Sequence, residues 1–79
     1  MVDGLSKLSF KVFCIENYAE YKHMNSSQVY ELFEKTKLVE LLDSDYEDLH
    51  GMGLEYLMQF IDEYLEAKKW LFATVLIQL

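Results

Sequence analysis

No proline occurs in these 79 residues, and glycine stands only at Gly4, Gly51 and Gly53. Proline ends or kinks a helix because it lacks an amide donor and its ring clashes with the preceding turn. A chain without it can run helix after helix, interrupted only by caps and short turns. With 52% hydrophobic residues and twelve aromatics there is ample material for a core, and too much for a disordered chain. The expected fold class is all-α: one domain over residues 1–79, a compact bundle of four to five short helices. A domain this small buries only about 60–65% of the surface its unfolded chain exposes, so its stability often leans on a partner or a second copy.

The pattern divides into four segments and a tail. The first spans about Leu5 to Lys22, with Asp3 as N-cap. At 100° per residue, Leu5, Leu8, Val12, Ile15 and Ala19 share one stripe. Phe10, Cys14, Tyr18 and Tyr21 form a second stripe roughly opposite, with Phe13 at its edge. A surface helix has one apolar face, so two faces predict a helix sandwiched within the domain or meeting another chain. The second segment, about Ser26 to Lys35, opens with Asn25 as cap and Gln28 three residues on, a capping-box variant, and Met24 placed to staple onto Val29. The third carries Leu38, Val39, Leu41 and Leu42, is interrupted at Asp43-Ser44-Asp45, and restarts from a Ser44/Glu47 capping box. It ends at His50-Gly51 as C-cap, which predicts two short helices or one bent helix. The fourth begins near Gly53 and reaches at least Lys69, with Leu54, Leu57, Met58, Ile61 and Leu65 on one face. The tail Trp70–Leu79 is uncharged and apolar, and is compatible with either a helical or an extended conformation. It is expected to be buried, in its own domain or at an interface.

Fourteen acidic residues face seven lysines, there is no arginine, and the net charge is −7. Nucleic-acid binders gain most of their affinity by neutralising phosphate, and arginine makes the commonest base contact. The balance therefore argues against DNA or RNA as a partner, and against an anionic membrane surface. The longest uncharged run is ten residues, whereas a spanning helix needs about 20. The first residues lack the basic-then-apolar build of a signal peptide. A single cysteine, Cys14, leaves no intramolecular disulfide and fits a reducing, cytoplasmic setting.

Reaction chemistry finds little purchase. Glu20/His23 and Glu47/His50 each have the Glu-x-x-His spacing used in carboxylate-bridged metal bundles, so a small metal-binding helical protein is one alternative function. Those sites also require further inward-facing Glu residues, and both pairs fall at predicted helix ends, where a solvated pair or a turn-capping histidine is the simpler account. Cys14 and His50 could be imagined as nucleophile and base, but a cysteine between Phe13 and Ile15 behaves as a small buried hydrophobe. Gly51-Met52-Gly53 lacks the Lys and Ser/Thr of a phosphate loop. The acidic run from Asp43 lacks the Gly at position six and Glu at position twelve of a calcium loop. A helix-turn-helix regulator is the other alternative, opposed by the acidic charge. No catalytic, cofactor or metal residue is assigned, and the chain is expected to be non-enzymatic.

Four blocks occur in order: Phe13-Cys14-Ile15-Glu16-Asn17-Tyr18-Ala19, Val29-Tyr30-Glu31-Leu32-Phe33, Tyr46-Glu47-Asp48-Leu49-His50-Gly51-Met52-Gly53 and Ile61-Asp62-Glu63-Tyr64-Leu65. Together, over about residues 8–66, they resemble a small uncharacterised bacterial family of all-helical domains of unknown function. Members of that family are often encoded beside genes for proteins resembling ADP-ribosyltransferase toxins. The resemblance implies an antitoxin-like or accessory partner protein, assigns no catalytic residue, and leaves residues 70–79 beyond its span. The leading expectation is a protein-interaction module that binds itself, a neighbouring protein or both. Its candidate interface is Phe10, Phe13, Tyr18 and Tyr21, with Trp70, Phe72, Val75, Leu76 and Ile77 of the tail.

Overall fold

The computed structural model describes the backbone of residues 4–78 and the side chains of residues 4–69. Five helices follow one another: α1 (Gly4–Lys22), α2 (Ser26–Lys35), α3 (Leu38–Ser44), α4 (Tyr46–Leu49) and α5 (Leu54–Gln78). No strand occurs among the described residues. The backbone of the tail continues α5 as helix, so the extended alternative does not hold. No described helix is long and apolar enough to cross a membrane.

The helix boundaries have local causes. At the end of α1, Met24 N donates to Ala19 O at 2.8 Å and His23 N to Glu20 O at 3.3 Å. This pair of bonds is a Schellman closure, and it places His23 in the left-handed region at φ 56. Two residues later α2 opens with the expected capping box. The Asn25 side chain accepts from Ser27 N at 2.8 Å, and Asn25 N donates to Gln28 Oε1 at 3.3 Å. The second left-handed residue, Lys37 at φ 67, turns the chain from α2 into α3.

One predicted cap is not used, and of the predicted His50-Gly51 C-cap only His50 serves. Ser44 is the last residue of α3 rather than the cap of α4, and its hydroxyl donates to Leu41 O at 3.3 Å. The backbone itself bridges the break, because Asp45 N donates to Leu41 O and Leu49 N to Asp45 O, both at 2.9 Å. A nearly continuous ladder leaves no free cap position for a side chain. Gly51 is not a left-handed C-cap either. α4 closes on His50 at φ −68, and no glycine has positive φ.

α1 is the hub, packing against α2, α3 and α5. Phe10, Cys14 and Tyr18 point from it into a core completed by Val29, Phe33, Leu38, Leu42, Leu57 and Ile61. Two tyrosine hydroxyls tie α5 to the rest. Tyr18 donates to Asp62 Oδ1 at 2.7 Å, and Tyr64 donates to the Thr36 carbonyl at 2.6 Å. Thr36, the one buried polar residue among those described, donates its own hydroxyl to Leu32 O at 2.8 Å.

Candidate interaction surface

Of the two apolar stripes on α1, the core takes the aromatic one. Phe10 and Tyr18 are only 9% and 3% exposed, which corrects their expected place at an interface. The reason lies in the partners each stripe finds. Aromatic side chains bury the most surface per residue. Phe10 meets Tyr46 edge-to-face at 5.4 Å, and Tyr18 packs on Phe33 at 5.7 Å while its hydroxyl reaches Asp62. Lys7 and Lys11, which flank this stripe, both pair with Asp43 of α3, at 3.6 and 2.8 Å. These pairs orient α1 on α3. They hold the Asp43 carboxyl below the ordinary range, chiefly through the Lys11 hydrogen bond.

The other stripe is therefore turned outward. Leu5, Leu8 and Val12 are 73%, 55% and 49% exposed, and Phe13 beside them is 46% exposed. The exposed residues of α1 from Gly4 to Phe13 are these four with Gly4, Ser6 and Ser9, and none carries charge. Leu5, Leu8, Val12, Ile15 and Ala19 are spaced alternately by three and four, the seam of a helix that pairs with another helix. Ile15 and Ala19 carry the seam into the domain's own packing, and its first half is bare. The sequence pattern contained this stripe, but exposure was expected on the opposite one. Leu5, Leu8 and Val12 are exposed apolar residues that the expected interface left out.

The remaining expected residues divide. Phe13 and Tyr21 are exposed, as an interface requires. Trp70, Phe72, Val75, Leu76 and Ile77 lie outside the residues whose side chains are described.

Tyr21 belongs to a different surface, a cleft of about 620 Å³ between the end of α1 and the start of α5. It is lined by Asn17, Glu20 and Tyr21 on one side and by Leu54, Glu55, Met58 and Gln59 on the other. A second, shallower depression of about 550 Å³ includes Leu5, Phe13, Tyr46, His50 and Met52.

The chemical motifs do not converge. Cys14 is fully buried, and burial pushes its thiol from the ordinary 9.0 up to about 12. His50 is exposed, stacks on Tyr46 at 4.2 Å, and donates Nδ1–H to the Tyr46 carbonyl at 2.7 Å. It is therefore a turn-capping histidine, exposed where the Cys14 thiol is buried. His23 is exposed at the α1 terminus. Among the described residues, no group of three or more His, Cys, Asp or Glu side chains could hold a metal ion.

A family described as "Protein of unknown function (DUF3791)" matches residues 9–68. The chain belongs to this family. The DUF3791 match runs from Ser9 in α1 to Lys68 in α5, close to the 8–66 span of the four sequence blocks. It contains the whole α1–α5 cleft, whereas Leu5, Leu8 and the end of α5 lie outside it. No curated protein and no solved structure matches the chain.

Proposed function

We propose that the chain is a non-enzymatic protein-interaction module whose main contact is the outward face of α1. The single observation that carries this is the absence of charge among the exposed positions in the first half of α1. In a chain with 27% charged residues, the exposed positions from Gly4 to Phe13 are four large apolar side chains, two serines and a glycine. Depletion of charge around exposed apolar residues marks the centre of protein interfaces. Seam spacing makes the natural occupant a helix, from a second copy or from a neighbouring protein. Nucleic acid is a poor occupant, because Lys7, Lys11 and Lys22 are already engaged with Asp43 and Asp62.

The resemblance to domains encoded beside ADP-ribosyltransferase-like proteins supports a narrower role, as an antitoxin-like or accessory partner of such a neighbour. Light scattering over a concentration series and co-purification with the neighbouring gene product test both levels. Leu8→Lys and Val12→Lys are surface changes that should move stability by no more than about 0.5 kcal/mol. They should weaken association by tenfold or more, roughly 1.4 kcal/mol. A chain that stays monomeric at every concentration and retains no neighbour would sink the proposal.

A further inference from the structure

We propose that the α1–α5 cleft is a separate docking site whose occupant is a basic amphipathic helix supplied by another protein. Its apolar lining is Leu54, Met58 and the Tyr21 ring, and Glu20 and Glu55 stand with them, one from each helix. Beyond Tyr21 and Gln59 the surface continues into a third depression, where Asp62, Glu63 and Glu66 add three more carboxylates. No lysine lines either depression among the described residues. Lys22, the nearby cation, is held by Asp62 at 3.2 Å.

This arrangement selects the occupant by charge. A neutral apolar helix would cover Leu54 and the Tyr21 ring while stripping water from Glu20 and Glu55, which costs free energy unless cations replace that water. An anionic ligand would be repelled outright. A helix with apolar residues at i, i+3 or i+4 and lysines or arginines flanking them satisfies both parts of the cleft at once. The site lies on a surface helix pair and is open to solvent, which suits a segment of chain better than an enclosed small molecule. A second copy is a poor occupant of this acidic cleft, since its Lys7, Lys11 and Lys22 are already paired with its own Asp43 and Asp62. The site does not depend on the charge-free face of α1, which lies on other residues of that helix.

The test uses the full chain and a synthetic Lys/Leu peptide of about 18 residues, roughly five helical turns. It is compared with a peptide of identical composition scrambled to remove the amphipathic face. Anisotropy at about 150 mM salt keeps long-range attraction screened. The amphipathic peptide should bind at least tenfold more tightly. Its amide chemical-shift changes should cluster on the last turns of α1 and the first turns of α5. Glu20→Lys/Glu55→Lys should weaken it tenfold or more. Glu31→Lys/Glu40→Lys changes net charge equally, lines neither depression, and should have under a threefold effect. Equal binding of the two peptides, or equal weakening by the two double variants, would overturn the site in favour of unspecific charge attraction. Should circular dichroism show Glu20→Lys/Glu55→Lys unfolded, Leu54→Ser decides. Leu54 is 47% exposed, and an unchanged affinity in that variant would also overturn the site. Leu8→Lys should leave peptide binding intact, which separates this outcome from failure of the α1-face proposal.

Discussion

His23 and Lys37 occupy left-handed backbone at φ 56 and φ 67, where a side chain costs roughly 1 kcal/mol and glycine costs nothing. His23→Gly should therefore stabilise the domain by about 0.4–1 kcal/mol, read as a raised urea midpoint with unchanged slope. A lower midpoint would mean that the imidazole makes a contact worth more than the strain. Cys14 argues in the opposite direction, towards a cost that appears only with pH. Its thiol is raised to about 12 when folded, so the unfolded chain ionises first. That contribution to stability is complete below pH 9 and is lost as pH rises from there through about 12. Burial and the Asp62 hydrogen bond raise Tyr18 as well, which adds to the loss above its ordinary 10.0. Urea titrations across this range should show stability falling with pH, and Cys14→Ala should flatten the slope even if it lowers the plateau. In native buffer a thiol reagent should label Cys14 only as fast as the protein opens.

At the level of single helices, the two capping boxes written in the sequence have different fates. Asn25 caps α2 with both reciprocal bonds present, so Asn25→Ala should cost about 1 kcal/mol. Ser44 belongs to the end of α3 and caps nothing, so Ser44→Ala should fall within about 0.5 kcal/mol of neutral. Chemical denaturation of the pair measures the contrast directly, and equal losses would show that Ser44 caps α4 in solution. The two motifs look alike in sequence. They differ because α2 begins after a real chain reversal at His23–Met24, whereas α3 and α4 are joined by backbone hydrogen bonds through Asp45. Helix α1 shows the same dependence on context. Its two stripes are both apolar, and the partners that other helices bring, Tyr46, Phe33, Asp43 and Asp62, decide which one turns inward.

For the whole molecule, the ion pairs between helices among the described residues meet at two aspartates. Asp43 joins α3 to Lys7 and Lys11 of α1, and Asp62 joins α5 to Tyr18 and Lys22. Both carboxyls are held below the ordinary range, Asp43 chiefly by Lys11 and Asp62 chiefly by the Tyr18 hydroxyl. Depressed folded values mean that the unfolded chain binds more protons as pH falls. The stabilisation is therefore present above about pH 4 and is lost as pH drops through the folded values. Denaturant midpoints between about pH 5 and 2 should fall with pH, and Asp43→Asn/Asp62→Asn should flatten that fall. An unaltered slope in the double variant would assign acid sensitivity to the other carboxylates.

The sequence alone determined that the chain is helical, where α2 starts, that the α3–α4 region breaks, and that its net charge is −7. These are local or additive properties: proline content, apolar period, cap chemistry and summed charge. What only the tertiary structure decided is which apolar face of α1 is left bare. Phe10 and Tyr18 read as interface residues until Asp43, Tyr46, Phe33 and Asp62 were brought to them from other helices. The cleft could not be read from sequence for the same reason. Glu20 and Glu55 are 35 positions apart, and no periodicity relates residues that meet only because α5 packs across α1.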